Sequence, residues 1–232
     1  MRNLLAQLLP SRLFSGNCFL CRGATEGVLC PACDADLPRL AGPRCPRCAL
    51  DSPRGELCGR CLAEPPQYDA TVAALAYEFP ADALVHALKF RGELALAEYL
   101  AGILGRCLAD PGVDSVIAVP LSAARLRSRG YNQAVEIARS LFPKKLELGL
   151  CVRGRDTPAQ MDLPYEERRR NVRGAFQCTR ALLGSSVAVV DDVMTTGETL
   201  NELASVLKKA GAARVVNWVV ARTFPASEFP AH

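Results

Sequence analysis

The chain has 232 residues, half of them apolar, and a formal net charge of +4 from 28 basic and 24 acidic residues. This is enough for one or two domains with a sizeable core, and the net charge gives no argument for a nucleic-acid partner. Only two histidines are present, His86 and His232, which leaves little room for a Ser–His–Asp nucleophile or for mixed cysteine–histidine metal sites.

The first fourteen residues, MRNLLAQLLPSRLF, read as a short amphipathic helix rather than a signal peptide. No apolar run approaches the ~20 residues of a membrane span. No membrane span and a cytoplasmic location are the default expectations.

Eight of the eleven cysteines form four CxxC pairs: Cys18/Cys21, Cys30/Cys33, Cys45/Cys48 and Cys58/Cys61. Two thiolates at this spacing can point at one metal, and two pairs complete a tetrahedral cage. Four pairs predict two structural zinc sites with no open position for a catalytic water. Sequential pairing is expected, with an interleaved cross-brace as the alternative. Redox chemistry at Cys30-Pro31-Ala32-Cys33 or Cys45-Pro46-Arg47-Cys48 is the rival reading, but no βαβ context surrounds them. Two zinc ions on eight thiolates would bring the net charge to zero. This segment, residues 1–67, is poor in large apolar residues and needs such staples to fold. It ends in a linker, Glu64-Pro65-Pro66-Gln67. Cys107, Cys151 and Cys178 are expected to be inert core thiols.

From Tyr68 onward, strands and helices alternate. Residues 71–77, 115–119, 187–190 and 214–221 read as strands, and 146–152 as extended. Residues 81–90, 93–108, 132–141 and 199–210 read as helices. This pattern predicts an α/β domain over 68–232 with a mostly parallel sheet flanked by helices, preceded by a small double zinc-ribbon module. His86 reads as a packed helix residue rather than a base.

The stretch VAVVDDVMTTGETL, residues 187–200, ends a buried strand in two acids. Ligands of open parallel sheets bind beyond the carboxyl ends of strands. Thr195-x-x-Glu198 has capping-box spacing and is expected to start the following helix. A cap leaves Asp191, Asp192, Thr196, Gly197 and Thr199 unexplained. A ribose 5-phosphate explains them: carboxylates for two vicinal hydroxyls, and a helix N-terminus with a glycine for the phosphate.

VVDDVMTTGET resembles the phosphoribosyl-pyrophosphate (PRPP) motif of type I phosphoribosyltransferases. Together with the cysteine pairs, further segments resemble the competence-related ComF family: Leu88-Lys89-Phe90-Arg91-Gly92, Val119-Pro120-Leu121, Arg129-Gly130-Tyr131-Asn132-Gln133-Ala134, Thr157-x-x-Gln160 and the run from Arg168 to Phe176. The resemblance covers nearly the whole chain. It implies a type I phosphoribosyltransferase-like fold, PRPP with magnesium as ligand, and a role in taking up transforming DNA.

By that resemblance, Asp191 and Asp192 hold the ribose hydroxyls and carry the catalytic role. Val193, Met194, Thr195, Thr196, Gly197, Glu198 and Thr199 form the rest of the PRPP loop. Pro120, Leu121 and Ser122 match the pyrophosphate loop, and Arg153 and Arg155 lie in the family's mobile loop. Residues 120–180 carry thirteen basic and six acidic side chains. Within them, Arg125, Arg127, Arg129 and Tyr131 suit an electrostatic groove with a base platform for single-stranded DNA. Two functions stay open. One is a PRPP-binding phosphoribosyltransferase-family protein that handles single-stranded DNA alongside other DNA-uptake proteins, with transfer of ribose 5-phosphate from PRPP as an enzymatic activity it could carry. The other is a metabolic phosphoribosyltransferase acting on a nitrogen acceptor, with no DNA role.

Overall fold

The computed structural model describes residues 16–108, 112–154 and 172–225. The expected N-terminal helix, Arg155, and the segments around Thr157, Gln160 and Arg168 lie outside them. The chain divides into two compact units, Met1–Leu37 and Pro38–His232.

The smaller unit carries the first four cysteines. A two-residue hairpin, β1 (Gly16–Asn17) with β2 (Ala24–Thr25), precedes the short helix α1 (Pro31–Ala35). Cys30 is the N-cap of α1 and a proline opens it, where a missing N–H costs nothing.

The larger unit begins with the second set of cysteines and helix α2 (Gly59–Ala63). Its centre is a four-stranded sheet in the order β3 (Ala70–Ala76), β8 (Arg214–Arg222), β7 (Ser186–Met194), β4 (Ser115–Ala118), with every pairing parallel. Among the described residues, helices α3 (Ala81–Phe90), α4 (Ala95–Cys107), α5 (Ala123–Arg129), α6 (Gln133–Leu141) and α7 (Glu198–Lys209) accompany it. A small antiparallel pair, β5 (Cys151–Arg153) and β6 (Phe176–Cys178), stands apart from the main sheet.

Side chains alternate across strands, so each strand feeds two cores. Val187, Val189, Val215 and Val219 join Leu200, Leu203 and Leu207 of α7 in one buried cluster. Helices α4 and α6 pack on the opposite face. Val187, Val189 and Val190 are fully buried, as a central parallel strand requires.

Three expectations change. Strand β7 does not stop at Val190: it runs to Met194 because β8 pairs with it as far as Arg222, so the two acids belong to the strand end rather than to a turn. The stretch 146–152 is extended only from Cys151; before that, Leu146 makes one parallel bridge to Val116. Helix α5 is an addition to the expected elements. Ser122 caps it by accepting from the Arg125 N–H, and Gly130, at φ +82°, ends it.

Candidate functional site

The sulfur atoms of Cys18, Cys21, Cys30 and Cys33 lie within 4.8 Å of one another, as do those of Cys45, Cys48, Cys58 and Cys61. The pairing is sequential. A tetrahedral Zn–S bond of about 2.3 Å sets sulfur–sulfur edges of about 3.8 Å. Cys21 and Cys30 are 3.7 Å apart, and Cys48 and Cys58 are 3.5 Å apart. These are two structural zinc sites, each made of four cysteines. Cys45 shows how the backbone prepares one: burial works against its thiolate, but the N–H groups of Cys58, Cys48 and Arg47 outweigh it and lower the pKa to about 7. Cys48 moves the other way, to about 11, first through burial and then through the neighbouring sulfurs. A shared dication relieves that mutual repulsion.

The remaining thiols differ from expectation in one case. Cys151 is buried and Cys178 half-buried, but Cys107 is exposed on the last turn of α4, its thiol directed at the Ile103 carbonyl.

Beyond the carboxyl ends of β7 and β4 lies a cavity of about 400 Å³. Asp191, Asp192, Val193, Thr195 and Thr199 line one side, from β7 and the first turn of α7. Val119 and Leu121 follow β4. Arg125 and Arg129 come from α5, and Arg153 from β5. Acidic and cationic groups therefore face one space.

Asp192 is buried and its carboxylate meets the Lys89 ammonium at 2.7 Å. Burial alone would lower the Lys89 pKa, but the charges of Asp192 and Asp191 prevail and raise it. Asp191 is the unusual group: burial, then the adjacent Asp192 charge, push its carboxyl well above the ordinary carboxylate range. The local sequence gives Lys89 little weight, because nothing in it shows that α3 ends beside β7. Phe90 follows it on the cavity wall, with the Arg129 guanidinium 5.1 Å from its ring centre.

The loop after β7 is built differently from a capping box. The N-cap of α7 is Gly197 at φ +87°, with no side-chain cap bond. Thr195 does not cap; the Thr196 hydroxyl accepts from the Glu198 N–H at 3.4 Å. Thr195 and Thr199 face the cavity, while Met194 and Thr196 are buried.

The other candidates divide. Ser122 is buried and spent on capping α5, and Pro120 lines a separate groove with Tyr131. Arg125 and Arg129, one turn apart, line the cavity, whereas Arg127 is not among its lining residues. The Tyr131 hydroxyl donates to the Leu88 carbonyl. The exposed aromatic at the cavity is Phe90. His86, exposed on α3, lies 4.8 Å ring to ring from Phe90.

Residues 4–62 match the double zinc ribbon domain family, and residues 95–228 match the phosphoribosyl transferase domain family. The DNA utilization protein YhgH of Salmonella typhi is 34% identical over 90% of this chain and 97% of its own length. Competence protein F of Haemophilus influenzae is 30% identical over 90% of this chain and 98% of its own. Competence protein ComFC of Streptococcus pneumoniae is 24% identical over 85% of this chain and 89% of its own.

Proposed function

Because the chain belongs to the phosphoribosyltransferase domain family, in its zinc-ribbon-bearing ComF branch, we propose that it binds PRPP in the cavity beyond β7 and β4. The observation that carries this reading is the polarity of one 400 Å³ space. Its acidic side suits a vicinal diol, the α7 N-terminus suits a monophosphate, and Arg125, Arg129 and Arg153 suit a diphosphate.

In a transfer reaction, positive charge develops at ribose C1 while the diphosphate leaves. The arginines stabilise that leaving group electrostatically, and the Asp191–Asp192 end of the cavity orients the sugar. Magnesium bound with the diphosphate would neutralise further charge. Asp191 and Asp192 both line the cavity and would offer oxygens to the sugar hydroxyls or to waters of a bound magnesium. No general base is needed from the protein.

The relatives bear the names DNA utilization protein and competence protein, which supports a role in handling DNA; we take that DNA as single-stranded, the location as cytoplasmic and other DNA-uptake proteins as partners. Arg125, Arg129 and the exposed ring of Phe90 are the groups a single strand would meet. The second reading is a metabolic transferase using a nitrogen acceptor. Pyrophosphate release with a panel of bases, in the absence of DNA, supports that reading; salt-dependent single-strand binding supports the first.

Calorimetry with PRPP and magnesium tests the shared premise. Each charged hydrogen bond is worth about 1.5–3 kcal/mol, so Asp191→Ala with Asp192→Ala should weaken binding at least ~100-fold while the circular dichroism stays unchanged. Equal affinity in the double variant sinks the site.

A further inference from the structure

Three successive carbonyls of the phosphate loop are held from behind by arginines. Arg222, at the end of β8, is 1% exposed. Its Nη1 donates to the Met194 carbonyl at 3.0 Å and also to the Thr195 carbonyl. Arg60 Nη2 donates to the Thr196 carbonyl at 2.5 Å. In a planar trans peptide the C=O and the following N–H point in opposite directions. Fixing the oxygens of Met194, Thr195 and Thr196 therefore turns the N–H groups of Thr195, Thr196 and Gly197 to the other side of the loop. Among the described residues, none of these three N–H groups has an acceptor.

Both arginines are tied to the second cysteine cage. Arg222 Nε donates to the carbonyl of Cys48 at 3.0 Å, at the end of the first knuckle. Arg60 sits inside the second knuckle, between Cys58 and Cys61. Tyr68, 2% exposed, packs in the same buried cluster as Cys45, Cys48 and Cys61 and closes the loop from beneath. A Cβ on Gly197 would come within 3.0 Å of its hydroxyl oxygen. In the first cage the place of Arg60 is taken by Ala32.

We propose that Arg60 and Arg222 are positioning residues that make the second zinc ribbon part of the phosphate site, by holding the loop's amides toward the 5-phosphate of the sugar. The inference rests on the PRPP reading for its ligand. The ribbon's role is then to preorganise an anion cradle, because amides already aimed at the ligand lose no ordering free energy on binding.

The test uses the whole zinc-loaded chain. Arg60 is exposed, so Arg60→Ala should fold and keep both zinc ions. Its affinity for ribose 5-phosphate should fall about tenfold, the equivalent of one charge-assisted hydrogen bond. Its affinity for magnesium pyrophosphate, which would meet the other end of the cavity, should not change. Arg60→Lys should recover part of the loss. The ¹⁵N order parameters of Thr195, Thr196 and Gly197 should drop from the rigid range near 0.85 toward about 0.6 in Arg60→Ala, and stay high in Cys21→Ser of the first cage. Arg222→Lys, whose single ammonium cannot span the same set of carbonyls, should loosen the same amides if it folds. Unchanged order parameters in Arg60→Ala overturn the inference, as does an equal loss in Cys21→Ser. If the wild-type chain binds neither PRPP nor ribose 5-phosphate, the PRPP reading fails, and the order parameters still decide whether the arginines hold the loop.

Discussion

The Cys18–Cys33 cage stands in a unit of its own, and its helix α1 buries no residue. The Cys45–Cys61 cage has the same ligands and the same sulfur spacing, yet Cys45, Cys48 and Cys61 belong to the buried cluster that also holds Met194, Leu200 and Tyr68. One cage staples a small segment that has little core to offer. The other sits against the loop that follows β7. Ligand chemistry is identical in the two, so the difference in role comes from what each knuckle touches. The single residue that states it is the one before the last cysteine, alanine in the first cage and arginine in the second.

Removing one cage at a time gives the largest expected effect. A structural zinc contributes on the order of 10 kcal/mol, comparable with the whole stability of a domain. Cys61→Ser should abolish the cooperative unfolding transition of the larger unit in calorimetry, whereas Cys33→Ser should leave that transition in place. Equal damage from both variants would erase the distinction between the cages.

A smaller effect comes from the two glycines at Gly197 and Gly42, which share left-handed backbone at φ +87° and +79°. A methyl on Gly197 would fall 2.7 Å from the Met194 side-chain terminus, while one on Gly42 meets nothing within 4 Å. Both alanine variants carry the left-handed strain of about 1–2 kcal/mol. Only Gly197→Ala should also reduce PRPP affinity, by roughly 10–100-fold, because its methyl presses on the Met194 terminus and the Tyr68 hydroxyl beside the loop. Matching affinities in the two variants would show that the loop tolerates movement.

The smallest effect is a gain. The folded Asp191 carboxyl titrates above its unfolded value. The folded state therefore holds that proton more tightly, and stability falls as pH rises from about 4, the unfolded carboxylate value, through the raised pKa. Asp191→Asn removes this cost. Its melting temperature should rise at about pH 7.5 by about 2–4 °C per kcal/mol recovered, with no gain below about pH 4, while PRPP binding is lost. A gain of the same size at both pH values would remove the electrostatic explanation.

The parallel sheet, the sequential cages and the acid pair beside a helix start were legible because each is a local pattern: alternating strand and helix periods, CxxC spacing, a polar run after a buried strand. The boundaries of β7 were not, since pairing with β8 extends it past Val190 and no local signal shows the partner strand's length. Helix α5 was legible in principle, with Ser122 and Gly130 marking its two ends. Lys89 and Arg222 were illegible for a tertiary reason. One lies near the end of a helix and the other at the end of a strand far in sequence from the acids, and only folding brings them there. An arginine closing a mostly apolar strand, RVVNWVVAR, was the one available hint for Arg222.

The most direct measurement is the crystal structure of the whole chain with PRPP and magnesium. Density is expected in the cavity beyond β7 and β4, with the sugar diol on Asp191 and Asp192 and the 5-phosphate on the amides of Thr195 to Gly197. Well-ordered PRPP bound elsewhere, or an empty cavity at saturating ligand, would contradict this expectation.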